Sequence, residues 1–94
     1  MDRSSLLAIF RQIEAERVRQ DEKFGVQVHD HFVWLAILSE EVGESAEAVL
    51  HTTFGDKGEK HLREELIQVA AVACAWIQSI DDPSRQRGEY NPSP

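Results

Sequence analysis

Apolar residues recur at helical spacing in three stretches of this chain, and nowhere do they alternate with polar residues long enough to make a strand. The first stretch, from Ser4 to about Phe24, carries Leu6, Phe10 and Ile13 on one side and charge on the rest, with Asp2 or Ser4 placed to cap it and Gly25 to end it. GVQVHDH then reads as a connection. A second helix is expected from His31 or Phe32 to about His51, and a third from about Gly58 to Ile80, with HTTFGDKGEK as the loop between them. Beyond Asp82 the residues are polar and proline-rich. The chain is therefore read as one helical domain over 1–82 and a flexible tail over 83–94. The fold class is all-α.

Advancing 100° per residue along the second helix places Trp34, Ile37, Leu38, Val42, Ala48 and Val49 on one apolar arc. Glu41 falls inside that arc and Glu44 at its edge, whereas Glu40 and Glu47 turn toward the polar side. The third helix repeats the arrangement: Leu62, Val69, Val72, Ala73, Trp76 and Ile80 form a face with Glu65 at its centre and Gln68 at its edge. Between Leu66 and Ile77 this helix is apolar almost all round, which predicts a central position, buried on several sides and at a subunit interface. Two helices thus carry an i, i+3 polar pair on a side that should be buried. An unpaired buried carboxylate is costly or takes up a proton, so facing carboxylates need a cation. Either arginine or a hard divalent metal with oxygen ligands meets that need.

Composition narrows the choice of partner. The 94 residues carry a net charge of −7, and no basic stripe exists to displace counterions from a nucleic-acid backbone. A phosphate-bearing ligand would need metal ions as intermediaries. No apolar run is long enough to cross a bilayer, and the N-terminus lacks the pattern of a secretory signal. With a single cysteine, Cys74, no intramolecular disulfide or Cys-rich zinc site can form, and Cys74 reads as a small core residue. A cytoplasmic location is expected. His29, His31, His51 and His61 include no i, i+4 pair on a helix, which argues against a histidine metal site. A domain this small is marginal without a metal or a partner subunit.

LSEEVGESAEAVL followed by LREELIQVAAV resembles the MazG-like all-α nucleoside triphosphate pyrophosphohydrolases, whose signature is E-x-x-E, a variable spacer, then E-x-x-D. Glu41, Glu44 and Glu65 match that signature, and Gln68 stands where the family has aspartate. The resemblance runs from about Glu16 to Ile80 and includes ERVRQDEKFG upstream. It implies a short helical subunit assembling into a four-helix-bundle-like dimer or tetramer. It also implies Mg²⁺-dependent hydrolysis of a (deoxy)nucleoside triphosphate to the monophosphate and pyrophosphate, in a house-cleaning role, with Mn²⁺ as a possible substitute. On that model Glu41, Glu44 and Glu65 are the catalytic and metal-holding residues, and Gln68 completes the metal shell. Lys23, Lys57, Lys60 and Arg63 are candidate clamps for the β and γ phosphates, Lys57 and Lys60 being preferred by position. Trp34, two turns before Glu41, is a candidate for stacking on the base, while Trp76 is assigned to packing. The alternatives are a nucleotide- or metal-binding regulatory module, or a structural oligomerisation domain whose glutamates pair with arginine.

Overall fold

A computed structural model of the chain describes residues 2–55 and 58–83, and consists of three α-helices. Helix α1 spans Arg3–Phe24. Asp2 caps it, its carboxylate accepting from the Ser4 backbone N–H at 3.1 Å and from the Ser4 hydroxyl at 2.7 Å. Gly25 closes the other end with φ of 73°, a left-handed conformation disfavoured for other residues, and its N–H donates to the Asp21 carbonyl.

Helix α2 spans His31–Phe54, starting where Asp30 accepts from the Val33 N–H at 2.9 Å. It runs beyond His51, the end expected from the pattern. The Thr52 hydroxyl donates back to the Ala48 carbonyl, and the Gly55 N–H donates to the His51 carbonyl, so the last turn is hydrogen-bonded despite its two threonines. Gly55 is dictated by close approach, because a Cβ there would lie 2.7 Å from the His51 carbonyl oxygen. Helix α3 spans Glu59–Asp81. Gly58 precedes it without a side-chain cap, and Glu59 in the first turn complements the helix dipole instead.

The central helix is α3. It packs against α2 on one side and α1 on the other, while α1 and α2 do not pack directly against each other. Chain order and the pairing of Trp34 with Val72 and Ala75 make α2 and α3 antiparallel. Trp34, Val72 and Ala75 form the core, with Ile37, Leu38 and Trp76 against it. The linker is tied down at both ends of its contact with α3: the His29 N–H donates to the Ser79 hydroxyl at 3.2 Å, and the Trp76 indole N–H to His31 Nδ1 at 3.0 Å.

The buried line on α3 is Ala71, Val72, Ala75 and Ser79, so that of the expected face only Val72 is fully buried. A helix flanked on two sides is deepest between its neighbours, so Ile80 stays exposed and the small residues go inside. On α2, Val42 and Val49 are half exposed, and on α1 Phe10 is exposed while Leu6 and Ile13 are half-buried. Cys74 is half-buried rather than a core residue. Among the described residues no helix is long and apolar enough to cross a membrane. The tail expected over 83–94 lies, after Pro83, outside the described residues.

Candidate functional site

Antiparallel packing brings the second turn-pair of α2 opposite the middle of α3. Carboxylate oxygens of Glu41, Glu44 and Glu65 there lie within 4.8 Å of one another. Glu41 and Glu65 are half-buried and Glu44 is exposed, as their places on the two apolar arcs predict, and Glu40 and Glu47 face solvent. One oxygen of Glu41 and one of Glu65 are out of reach of solvent and have no hydrogen-bond partner. Leaving a buried polar atom unsatisfied costs about 1–3 kcal/mol, more when it is charged.

The pressure on the cluster is visible in the acidity of Glu41. Burial raises its pKa above the usual glutamate value, and the neighbouring carboxylates of Glu44, Glu65, Glu40 and Glu16 push it further in the same direction. Arginine does not relieve it. Arg17 pairs with Asp21 and Arg19 with Glu16, and neither pair touches the three clustered glutamates.

The donor set fits a hard divalent cation. All three side chains offer carboxylate oxygen, the hard donor that such a cation takes, and two of the oxygens are buried and unmatched. No histidine or cysteine joins the group among the described residues. His29 instead meets the Trp34 ring edge-on at 4.9 Å, and His31 accepts from Trp76.

Gln68 is half-buried and is held from α1. Its carbonyl oxygen accepts from the Gln20 amide at 3.4 Å, and it lies near enough to Glu16 to help lower the pKa of that carboxylate. Glu16 is in turn gripped by Arg19, whose Nε lies 2.9 and 3.0 Å from the two carboxylate oxygens while Nη2 reaches Oε2. The Arg19 bond is the main reason that Glu16 ionises below the usual glutamate range, with Gln68 and Gln20 adding to it against the opposing effect of burial.

Neither a family model nor a curated protein nor a solved structure matches this chain. The site therefore rests on its own geometry.

Beside the carboxylates a cavity of about 340 Å³ opens between the three helices, lined among others by Arg19, Gln20, Lys23, Trp34, Glu41 and Gln68. Lys23 is the expected phosphate clamp that lies here, its ammonium 5.1 Å from the centre of the Phe24 ring. Trp34 also lines this cavity but is only 2% exposed, so its ring belongs to the core and presents little more than an edge. Lys60 and Arg63 sit in a different, shallow depression on the first turns of α3, and Arg63 donates to Gln12 and so ties α1 to α3. Lys57 lies outside the described residues.

Three residues of α1 were not among the expected site residues: Glu16, Arg19 and Gln20. For Glu16 and Gln20, though not for Arg19, a signal exists. The apolar spacing of α1 stops at Ile13, and the next turns of the same helix place half-buried polar side chains, Glu16, Arg17 and Gln20, toward α3.

Proposed function

We propose that this chain is a Mg²⁺-dependent nucleoside triphosphate pyrophosphohydrolase, converting a (deoxy)nucleoside triphosphate and water to the monophosphate and pyrophosphate in the cytoplasm. The observation that carries the reading is the convergence of Glu41, Glu44 and Glu65 from two helices, with two buried unmatched oxygens and no cation paired to them among the described residues. Resemblance of the two glutamate motifs to MazG-like enzymes supplies the reaction class.

Glu41, Glu44 and Glu65 would hold the metal, with Gln68 behind them presenting a fixed amide. When bound, Mg²⁺ neutralises triphosphate charge and acidifies water for attack on the α-phosphorus. The chain itself supplies position and exclusion of solvent. Ile37, Val72 and Ala75 wall the cavity beside Glu41, and Lys23 gives it positive charge at the outer end of α1. The wall lowers the local dielectric, which strengthens attraction between the carboxylates and a cation.

We further infer that the working unit is a homo-oligomer. Phe32, Phe54 and Val26 are 84%, 83% and 79% exposed, and Leu35, Leu50, Leu66 and Ile77 are more than half exposed, which is a poor surface for a lone subunit. Sedimentation velocity at micromolar concentration should give a mass above that of one 10.7 kDa chain; a monomer would remove this part of the reading.

The reaction is tested by incubating the protein with a panel of NTPs and dNTPs, with and without Mg²⁺, and resolving products by ion exchange. Monophosphate plus pyrophosphate is expected from at least one substrate, lost in Glu41→Ala. Metal-dependent binding without turnover would favour a regulatory module, and neither binding nor turnover a structural domain.

A further inference from the structure

The pair formed by Glu16 and Arg19 is lopsided. Glu16 has a side chain only 12% exposed, pointing into the space between α1 and α3, whereas Arg19 is 56% exposed and lines the rim of the cavity that Glu41 and Gln68 also line. The carboxylate is held by its burial against α3, where Gln68 lies close by. Among the described residues the bonds of Arg19 go to Glu16 alone, through Nε and Nη2, and its Nη1 is uncommitted. When a competing anion enters the cavity, the arginine is therefore the partner able to leave.

Two independent features point to such an anion or another acceptor-bearing ligand. Trp34, almost fully buried, lines the same cavity and its indole N–H has no acceptor among the described residues. Arg19 and Lys23, one turn apart on α1, are the cationic groups on the cavity wall, and a guanidinium offers a planar fork that matches phosphate oxygens as well as it matches a carboxylate.

Glu16 lies outside the group of oxygens that come within 4.8 Å of one another, yet it is close enough to Glu41 for its charge to be felt there. Held by Arg19, its charge is matched. Released, it becomes a fourth carboxylate next to a site that has glutamine at position 68.

We propose that Arg19 is a polyphosphate-contacting residue that gives up Glu16 when substrate enters, and that the freed Glu16 carboxylate joins Glu41, Glu44 and Glu65 in holding the metal. This rests on the metal-dependent reading above. It makes polyphosphate and metal binding mutually reinforcing, since each draws one member of the pair to its own side. It also places the fourth acidic group on α1, so that α1, which otherwise only flanks α3, becomes part of the site.

The experiment is NMR of the arginine side-chain Nε–H groups, with Arg19 assigned from an Arg19→Lys sample and inorganic tripolyphosphate as a base-free probe. Mg²⁺ alone should leave the Arg19 signal in place, and Mg²⁺ with tripolyphosphate should shift it. Calorimetry on the same samples adds the second arm. Glu16→Gln should leave the affinity for Mg²⁺ alone within about twofold of wild type, and weaken Mg²⁺ binding at saturating tripolyphosphate by about tenfold or more. An Arg19 signal that does not respond to tripolyphosphate, or a Glu16→Gln protein that loses affinity equally in both conditions, overturns the proposal. Glu41→Ala separates the two levels: if it retains full Mg²⁺ affinity, the metal reading itself fails, whereas loss of affinity with a static Arg19 signal defeats only the exchange.

Discussion

At the scale of single residues the decisive feature is a carboxylate in an unfavourable place. Glu41 sits on an apolar arc of α2, and burial together with Glu44 and Glu65 raises its pKa. A carboxyl group whose folded-state pKa lies above its unfolded value favours the folded state most below the unfolded pKa, near 4.5, and this contribution is lost as pH rises through the folded value. At neutral pH without metal, Glu41 therefore works against folding. Glu41→Gln is expected to raise Tm at pH 7 in EDTA by a few °C, about 1 kcal/mol or less, and to abolish stabilisation by Mg²⁺. Thermal scans with and without Mg²⁺ check this; a variant less stable than wild type in EDTA would mean that Glu41 has a favourable partner. Glu16 has the opposite sign, since Arg19 lowers its pKa and its contribution is lost as pH falls through that lowered value. The places of Glu41, Glu44 and Glu65 were legible in the sequence because helical angle alone separates them from Glu40 and Glu47. The role of Arg19 was not, because its spacing from Glu16 is that of any solvated i, i+3 pair on a helix surface.

At the scale of elements, the three helices could be read from apolar spacing and, for α1, from Asp2 and Gly25, whose side chain or backbone freedom marks its ends by local chemistry, while Asp30 caps α2 in the structure. The extension of α2 to Phe54 was hidden, since His51-Thr52-Thr53-Phe54 has no apolar period and its last turn depends on the Thr52 hydroxyl and on Gly55. The true burial on α3 was hidden for another reason. Angle identifies a face, but a second neighbour on the other side moves the deepest line to Ala71, Ala75 and Ser79. The helices also differ in how firmly they are held. No residue of α1 is fully buried, and α1 packs against α3 alone, helped by polar ties from Arg17 to Gln78, Gln20 to Gln68 and Arg63 to Gln12. Amide hydrogen exchange should therefore protect α1 less than the central turns of α3, by about tenfold or more. Mg²⁺ with triphosphate should narrow that gap, because ligand bridges the cavity between them. Equal protection of α1 and α3 in the free protein would contradict this ranking.

At the scale of the whole molecule, α3 in the middle and α1 and α2 on its flanks create both the acidic cluster and the cavity beside it. That architecture leaves much apolar surface outside, from Phe32 and Leu35 on α2 to Leu66 and Ile77 on α3, and few large side chains inside. A second copy of the chain, as proposed above, would cover this surface. The proposed reaction turns on where water attacks. Hydrolysis in H₂¹⁸O, with products analysed by mass spectrometry, decides it for whichever triphosphate turns over. ¹⁸O is expected in the nucleoside monophosphate and none in pyrophosphate if, as proposed, attack falls on the α-phosphorus. Label in pyrophosphate, or release of inorganic phosphate and nucleoside diphosphate, would contradict it.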